Sequence, residues 1–140
     1  MHHSLKSTLL VASLALTLPL CSLAAPRDDV LNQYAGAAKA ASPTFDGFSA
    51  NRGAVLHRQV FTTGKPDTPT CATCHGRDAR AAGRTPLGKV LEPMAVSVTP
   101  TRYSDPAKVE KWFKRNCMEV LGRECTAGEK GDWLSFMFGQ

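Results

Sequence analysis

Residues 71 to 75 read CATCH, two cysteines separated by two residues and followed directly by a histidine. This spacing is the attachment signal of a c-type haem, in which both thiols form thioethers with the porphyrin and the histidine binds the iron. A single turn of chain must span one porphyrin edge and then place the imidazole over the metal. The motif therefore predicts one covalently attached haem c, held by Cys71 and Cys74, with His75 as the proximal iron ligand.

Two other chemistries use a Cys-x-x-Cys pair, namely a disulfide and one half of a zinc site. No second Cys-x-x-Cys pair and no histidine pair completes a zinc site elsewhere in the sequence. The pair also occurs in thioredoxin-like redox proteins of the cytosol. An N-terminal export pattern disfavours that interpretation and favours haem.

The first 24 residues carry this export pattern. Lys6 is their only formal side-chain charge, an apolar run extends from Leu9 to Leu20, and Ser22-Leu23-Ala24 ends the segment with small residues. This pattern predicts a secretory signal peptide that is cleaved after Ala24 and directs the chain to the periplasm. Cys21 follows a leucine where a lipoprotein signal requires a small residue, so a lipid anchor is disfavoured.

The remaining residues, 25–140, are expected to form a single cytochrome c domain with a haem-binding core at about 48–138. Without Lys6 the chain has 16 basic and 12 acidic side chains. This mild excess, with no Lys/Arg run interleaved with aromatic residues, gives no reason to expect a nucleic-acid partner. No further segment approaches the roughly 20 apolar residues of a membrane span.

The second axial position of the iron has four candidate ligands in the sequence: Asn116, Met94, His57 and Met118. At about 100° per residue, Asn116 lies near the centre of an apolar helix face and Met118 lies on the opposite face. A buried amide without a partner costs about 1–3 kcal/mol, so Asn116 is expected either to bond loop backbone or to bind iron. Met94 remains the alternative ligand, and His57 is interpreted as a rim histidine.

Cys117 and Cys125 are the two cysteines left in the exported chain once the haem has taken Cys71 and Cys74. We expect them to form a disulfide across the turn at Gly122. Closing so short a loop contributes about 2–3 kcal/mol in the chain-entropy treatment. The bond would also fix the helix end that carries Asn116.

The elements that must position these residues are helices and long loops. Helices are predicted at 28–41, at about 48–61 with Gly53 allowing close approach of another helix, at 106–121, and after a capping box at Thr126. Residues 80–105 show no sustained period, and no strand is convincing. So long a loop in so small a domain suggests that it wraps a cofactor. Within it, the Pro86 carbonyl is a candidate acceptor for Nδ1–H of His75.

Two blocks of sequence, GKPDTPTCATCHG (64–76) and VEKWFKRNCMEVLGRECTAGEKGDWL (109–134), strongly resemble the sphaeroides haem protein family of oxygen-binding c-type cytochromes. The resemblance spans about residues 48–134 and extends to the related cytochrome c″. It implies an all-α, class I cytochrome c fold and a Cys117–Cys125 disulfide. It also implies that Asn116 binds oxidised iron and leaves on reduction, whereas cytochrome c″ uses a histidine as its detachable ligand.

The resemblance further implies binding of small diatomic gases, oxygen and nitric oxide, and reduction by a dihaem c-type cytochrome. A plain electron carrier ligated by His75 and Met94 is the alternative function. A haem enzyme such as a peroxidase has little support, because the sequence shows no distal His/Arg acid–base pair. We therefore assign no catalytic residue, although nitric-oxide-consuming chemistry remains compatible with the family.

Overall fold

The computed structural model describes residues 25–140, and the predicted signal peptide (1–24) lies outside them. The described chain forms five helices: α1 (Ala25–Ala41), α2 (Ala50–Arg58), α3 (Ala72–His75), α4 (Pro106–Leu121) and α5 (Ala127–Phe138). Two-residue strands, β1 (Gly83–Arg84) and β2 (Val90–Leu91), pair antiparallel inside the long loop. The fold is mostly helical as predicted. The short helix α3 and the small β-pair were not among the elements predicted from the sequence.

Helix α4 begins and ends at the predicted residues for local chemical reasons. The Asp105 side chain accepts a hydrogen bond from the backbone N–H of Lys108 at 3.1 Å, and Pro106 occupies the first helical position, where no N–H is needed. Gly122 ends the helix with φ of 69°, a left-handed conformation that favours glycine. These signals fix where Asn116 lies relative to the helix end.

Helix α2 crosses α5 at the glycine that the sequence singles out. A Cβ on Gly53 would overlap the backbone carbonyl of Asp132, so only glycine allows this approach. The Asp132 carboxylate also accepts hydrogen bonds from the Ser49 N–H and from Arg52 Nε, both at 2.7 Å. The close α2–α5 crossing gives the domain a rigid frame.

Helix α2 is shorter than the predicted 48–61. Ser49 caps its start, and Gln59 has an extended conformation (φ −63°, ψ 134°) that ends it after Arg58. Phe61 instead donates its backbone N–H to the carbonyl of Pro69 at 2.8 Å. This loop-to-loop bond competes with continuation of the helix and directs the chain towards the CATCH turn.

Hydrogen bonds to the Glu110 side chain of α4 join α1 to α4 and α5. The Glu110 carboxylate accepts hydrogen bonds from Tyr34 Oη at 2.7 Å and from Lys130 Nζ at 2.6 Å. Burial opposes ionisation of Glu110, but these two bonds outweigh it and lower the pKa of the carboxyl group. The three side chains therefore join three helices through one ionised acid.

The long loop is tied down rather than structureless. Backbone N–H groups of Met94 and Ala95 both donate to the carbonyl of Ala79 at 2.8 Å, and Tyr103 Oη donates to the Met94 carbonyl at 2.9 Å. Tyr103 itself has φ of 63°, an uncommon conformation for a bulky residue. Its ring contacts Trp133 of α5, so the loop is anchored to the core by an aromatic contact.

Among residues 25–140, the structure contains no helix with the length and apolarity that a bilayer crossing requires.

Candidate haem site

The CATCH motif forms a single short helix, α3. Its start is organised by two threonines, because the backbone N–H of Thr73 donates to Thr70 Oγ1 at 2.9 Å. The helix ends at Gly76, whose φ is 71° and whose N–H donates to the carbonyl of Ala72 at 2.9 Å. Spacings of three and four residues along this turn place Cys71, Cys74 and His75 close to one another.

The two thiols of the motif are unbonded in the structure. Burial raises the pKa of the Cys71 thiol to about 11. The pKa of Cys74 is also raised, first by burial and then by the negative charges of Glu119 and Asp67. Both side chains therefore remain neutral thiols at neutral pH, and the proximity of Glu119 places the last turns of α4 near the motif.

His75 presents a neutral imidazole within the site. Burial, followed by the neighbouring His57 ring and the positive charge of Arg102, lowers its pKa to about 4. Its Nδ1 is fully buried and has no hydrogen-bond partner among the described residues. Neutral imidazole is the form that binds metals, so protonation state and burial both suit an iron ligand.

The expected acceptor for His75 Nδ1–H, the Pro86 carbonyl, is not its partner in the structure. Pro86 lies exposed in a tight turn that is closed by the Gly88 N–H donating to the Thr85 carbonyl at 2.8 Å. This turn is part of the β1–β2 connection, whose pairing keeps it at the surface. The prediction for Pro86 is therefore wrong.

His57 was expected at the rim of its helix, and that expectation is also wrong. The side chain is fully buried, at 0 % exposure. Its Nε2 is 2.8 Å from the carbonyl oxygen of Gly76, and its Nδ1 accepts a hydrogen bond from Trp133 Nε1 at 3.2 Å. Burial lowers the pKa of His57. With both nitrogens occupied by protein partners, His57 has none left for iron.

Asn116 lies on the margin of the buried face of α4 rather than at its centre. Four residues of this helix are almost fully buried: Val109, Cys117, Val120 and Leu121. Asn116 is partly buried, and Trp112 on the same side is 45 % exposed. Asn116 directly precedes Cys117, which is buried and bonded to Cys125.

A second hydrophobic cluster brings the haem-binding turn to the end of α4. It is formed by the buried residues Cys117, Val120, Leu121 and Cys125, and Cys71 packs against it. The segment before the motif is bonded to the same helix end, with Thr63 Oγ1 donating to the Leu121 carbonyl at 2.5 Å and the Lys65 N–H donating to the Glu119 carbonyl at 2.7 Å. The helix end that carries Asn116 is thus packed beside Cys71.

Met94, the alternative ligand, lies in a different part of the core. Its side chain is buried, at 8 % exposure, in the cluster that contains Ala79, Trp133 and Met137. Backbone bonds to Ala79 and Tyr103 hold it there. Of the candidate distal ligands, Asn116 and not Met94 belongs to the helix whose end contacts Cys71.

Cys117 and Cys125 form a disulfide across eight positions of sequence, the pairing that the sequence predicts. Replacing both with serine should lower the free energy of unfolding by about 2–3 kcal/mol, because the denatured chain gains loop entropy. Chemical denaturation monitored by circular dichroism measures this change. The haem should stay attached in the variant, and ferric ligation by Asn116 should weaken. Free thiols at both positions in the native protein, detected by mass spectrometry, would contradict the prediction.

Comparison with known proteins decides the family. Residues 43–137 match a family described as a domain of unknown function (DUF1924). Over 91 residues the chain is 53 % identical to cytochrome c-type protein SHP of Cereibacter sphaeroides, covering 65 % of this chain and 70 % of that protein. The chain belongs to the SHP family of c-type cytochromes. Cytochrome c″ of Methylophilus methylotrophus is 27 % identical over 111 residues, covering 79 % of this chain and 77 % of that protein.

Solved structures agree with this assignment to the SHP family. Oxidised SHP, described as an oxygen-binding cytochrome c, superposes with a TM-score of 0.75 at 45 % identity, covering 82 % of this chain and 96 % of that one. Oxidised cytochrome c″ gives a TM-score of 0.72 at 26 % identity, covering 81 % and 94 %. The helical fold is therefore shared with both relatives.

The cofactor of this family is a covalently bound haem c, and the chain has one Cys-x-x-Cys-His motif to receive it. The residues present fit that group on structural grounds. Two unbonded thiols lie on one turn, and the adjacent imidazole is neutral and half-buried, with a buried Nδ1 that has no partner in the described chain. The chain's cofactor is accordingly one haem c.

Proposed function

We propose that this chain is an exported haem c protein of the class I cytochrome fold that binds small gases when reduced. Cys71 and Cys74 hold the haem, and His75 is the proximal ligand. Asn116 binds the oxidised iron on the opposite side and dissociates on reduction. The bound haem supplies one-electron redox chemistry and an axial coordination position. The observation that carries the proposal is the place of Asn116 on α4, directly before Cys117, which lies in the cluster against which Cys71 packs.

The redox dependence follows from the chemistry of the Asn116 side chain. An amide oxygen is a hard, neutral and weak donor, which suits Fe(III) better than the softer, less charged Fe(II). Asn116 would therefore bind the oxidised iron and would dissociate on reduction.

The identity of the gas follows from the relatives. SHP is described as an oxygen-binding cytochrome c, and nitric oxide is a second small diatomic molecule that binds ferrous haem. We infer that a dihaem c-type cytochrome reduces the protein in the periplasm, after export through the N-terminal leader. Met94 has a packing role on this proposal, because it is buried in the other cluster.

Optical spectra of the oxidised and reduced protein test this function. The ferric haem should be six-coordinate, and reduction should give a five-coordinate, high-spin ferrous haem that binds carbon monoxide without displacing a protein ligand. A ferrous haem that stays low-spin, together with a sulfur-to-iron band in the ferric spectrum, would show methionine ligation. That result would make the protein a plain electron carrier and would reject the gas-binding function.

A further inference from the structure

We propose that His57 is a positioning residue for the proximal side of the haem: it bridges Trp133 of α5 to the Gly76 carbonyl and so fixes the turn that carries His75. This inference rests on the proposed role of His75 as the iron ligand. His57 does not touch the iron on this view. It acts through the backbone of the haem-binding turn.

The chemistry of its two partners fixes the tautomer of His57. An indole N–H can only donate, so Nδ1 of His57 must be the acceptor of the 3.2 Å bond from Trp133. A backbone carbonyl can only accept, so Nε2 must carry the proton donated to Gly76 over 2.8 Å. One tautomer alone satisfies both contacts, and the ring is fully buried, at 0 % exposure.

A hydrogen bond to the Gly76 carbonyl can fix the position of the neighbouring His75. Gly76 follows His75 directly and ends α3, a helix of only four residues that buries none of them. Helices this short have no stability of their own. On the other side of the turn, Gly83 of β1 lies so close to the Cys74 carbonyl that a Cβ would overlap it. The turn is therefore held between β1 and His57.

The frame behind His57 is rigid enough to transmit this restraint. His57 is one turn from Gly53, the closest point of the α2–α5 crossing, and Trp133 directly follows Asp132 at the same crossing. The Trp133 ring also packs edge-on against Phe113 of α4, with centroids 5.6 Å apart. Since Nδ1 of His75 has no hydrogen-bond partner of its own within the described chain, the position of its ring depends on the backbone that His57 holds.

A histidine at this buried position is not explained by packing alone. An apolar side chain of similar size would fill the space without the cost of burying two ring nitrogens. It would leave the Gly76 carbonyl and the Trp133 N–H without partners. The side chain is therefore suited to joining two specific groups, one on the frame and one on the haem-binding turn.

The experiment uses the holoprotein and three variants: His57→Phe, His57→Gln and Trp133→Phe. The measurements are the iron–histidine stretching band of the ferrous protein by resonance Raman spectroscopy, and the reduction potential. His57→Phe should shift and broaden the band and raise the potential, because a loosely held imidazole donates less strongly to Fe(III). His57→Gln can still donate a hydrogen bond to Gly76. It should therefore restore most of the wild-type band and most of the wild-type reduction potential. Trp133→Phe should give a smaller change in the same direction.

The control variant is Val55→Ala, at a position on α2 that is 64 % exposed and makes neither contact. It should leave the band and the potential unchanged. If His57→Phe folds poorly, two measurements still test whether His57 positions the haem-binding turn. They are the Trp133→Phe variant and the ¹⁵N shifts of His57 in the diamagnetic carbon monoxide complex. Those shifts should report a neutral ring protonated at Nε2. A ring protonated at Nδ1, or a His57→Phe band and potential equal to those of the control, would overturn the inference.

Failure of the gas-binding function is distinguishable from failure of this inference. A wild-type ferrous protein that remains six-coordinate would reject gas binding through release of Asn116. The potential of His57→Phe relative to Val55→Ala would then still decide whether His57 positions the proximal ligand. Conversely, a normal five-coordinate ferrous wild type with no effect at His57 would reject only the positioning role.

Discussion

Replacing Asn116 with alanine should abolish the protein's sixth ligand in the ferric state and leave the haem five-coordinate or solvent-ligated. Methyl cannot bind iron. Among the residues three or four positions from Asn116 on α4, Trp112, Phe113 and Val120 offer no side-chain atom that binds iron, and the Glu119 carboxylate is paired with Lys65. Carbon monoxide binding to the reduced protein should change little, because Asn116 has already left. Ferric absorption and electron paramagnetic resonance spectra measure the first effect, and flash photolysis measures the second.

The matched comparison for Asn116→Ala is Met94→Leu, measured at the same pH. Met94 is buried beside Ala79 and Met137, so a leucine of similar volume should leave the ferric spectrum nearly unchanged. Asn116→His should give a stronger ligand and a more low-spin ferric haem, because imidazole is a stronger donor than an amide oxygen. If Met94→Leu alone removed the six-coordinate state, Asn116 would not be the ligand and the protein would be an electron carrier.

The elements that carry this site could be predicted where the signals are local. Asp105 and Pro106 at the start of α4, Gly122 at its end, and the capping box of Thr126 and Glu129 each involve residues within one turn of one another. Short-range signals of this kind do not depend on the rest of the fold. The close crossing at Gly53 was also predictable, because a glycine on a buried helix face has no side chain and allows another helix to approach closely.

The features that sequence reasoning missed depend on contacts between distant residues. His57 and Trp133 are 76 positions apart, and nothing near either one in the sequence indicates that their side chains meet. Placing His57 at the helix rim followed from periodicity, which cannot show that the carbonyl of Gly76 approaches from outside the helix. The offset of Asn116 has a similar origin, since the buried face of α4 is set by the packing of Val109, Cys117, Val120 and Leu121 against other elements. Tertiary contacts overrode the local pattern in both cases.

Replacing Cys71 and Cys74 together with alanine should have the largest effect of any change to this chain, the loss of all covalently bound haem. The two thiols are the attachment atoms of the motif, and alanine has no sulfur with which to form a thioether. The loss should also destabilise the fold. Helix α3 buries none of its own residues and cannot persist alone.

Intact mass spectrometry of the exported double variant measures this loss directly, as the disappearance of one haem mass from the chain. The Cys117→Ser/Cys125→Ser variant is the matched control, since it also removes two sulfurs but should keep the full haem mass. The single variants should retain haem through one thioether at reduced yield. Cys71→Ala should be the more damaging of the two, because Cys71 packs against the cluster at the end of α4, where Asn116 lies. Covalent haem persisting in the double variant would show that attachment uses other residues, and the assignment of the site would be wrong.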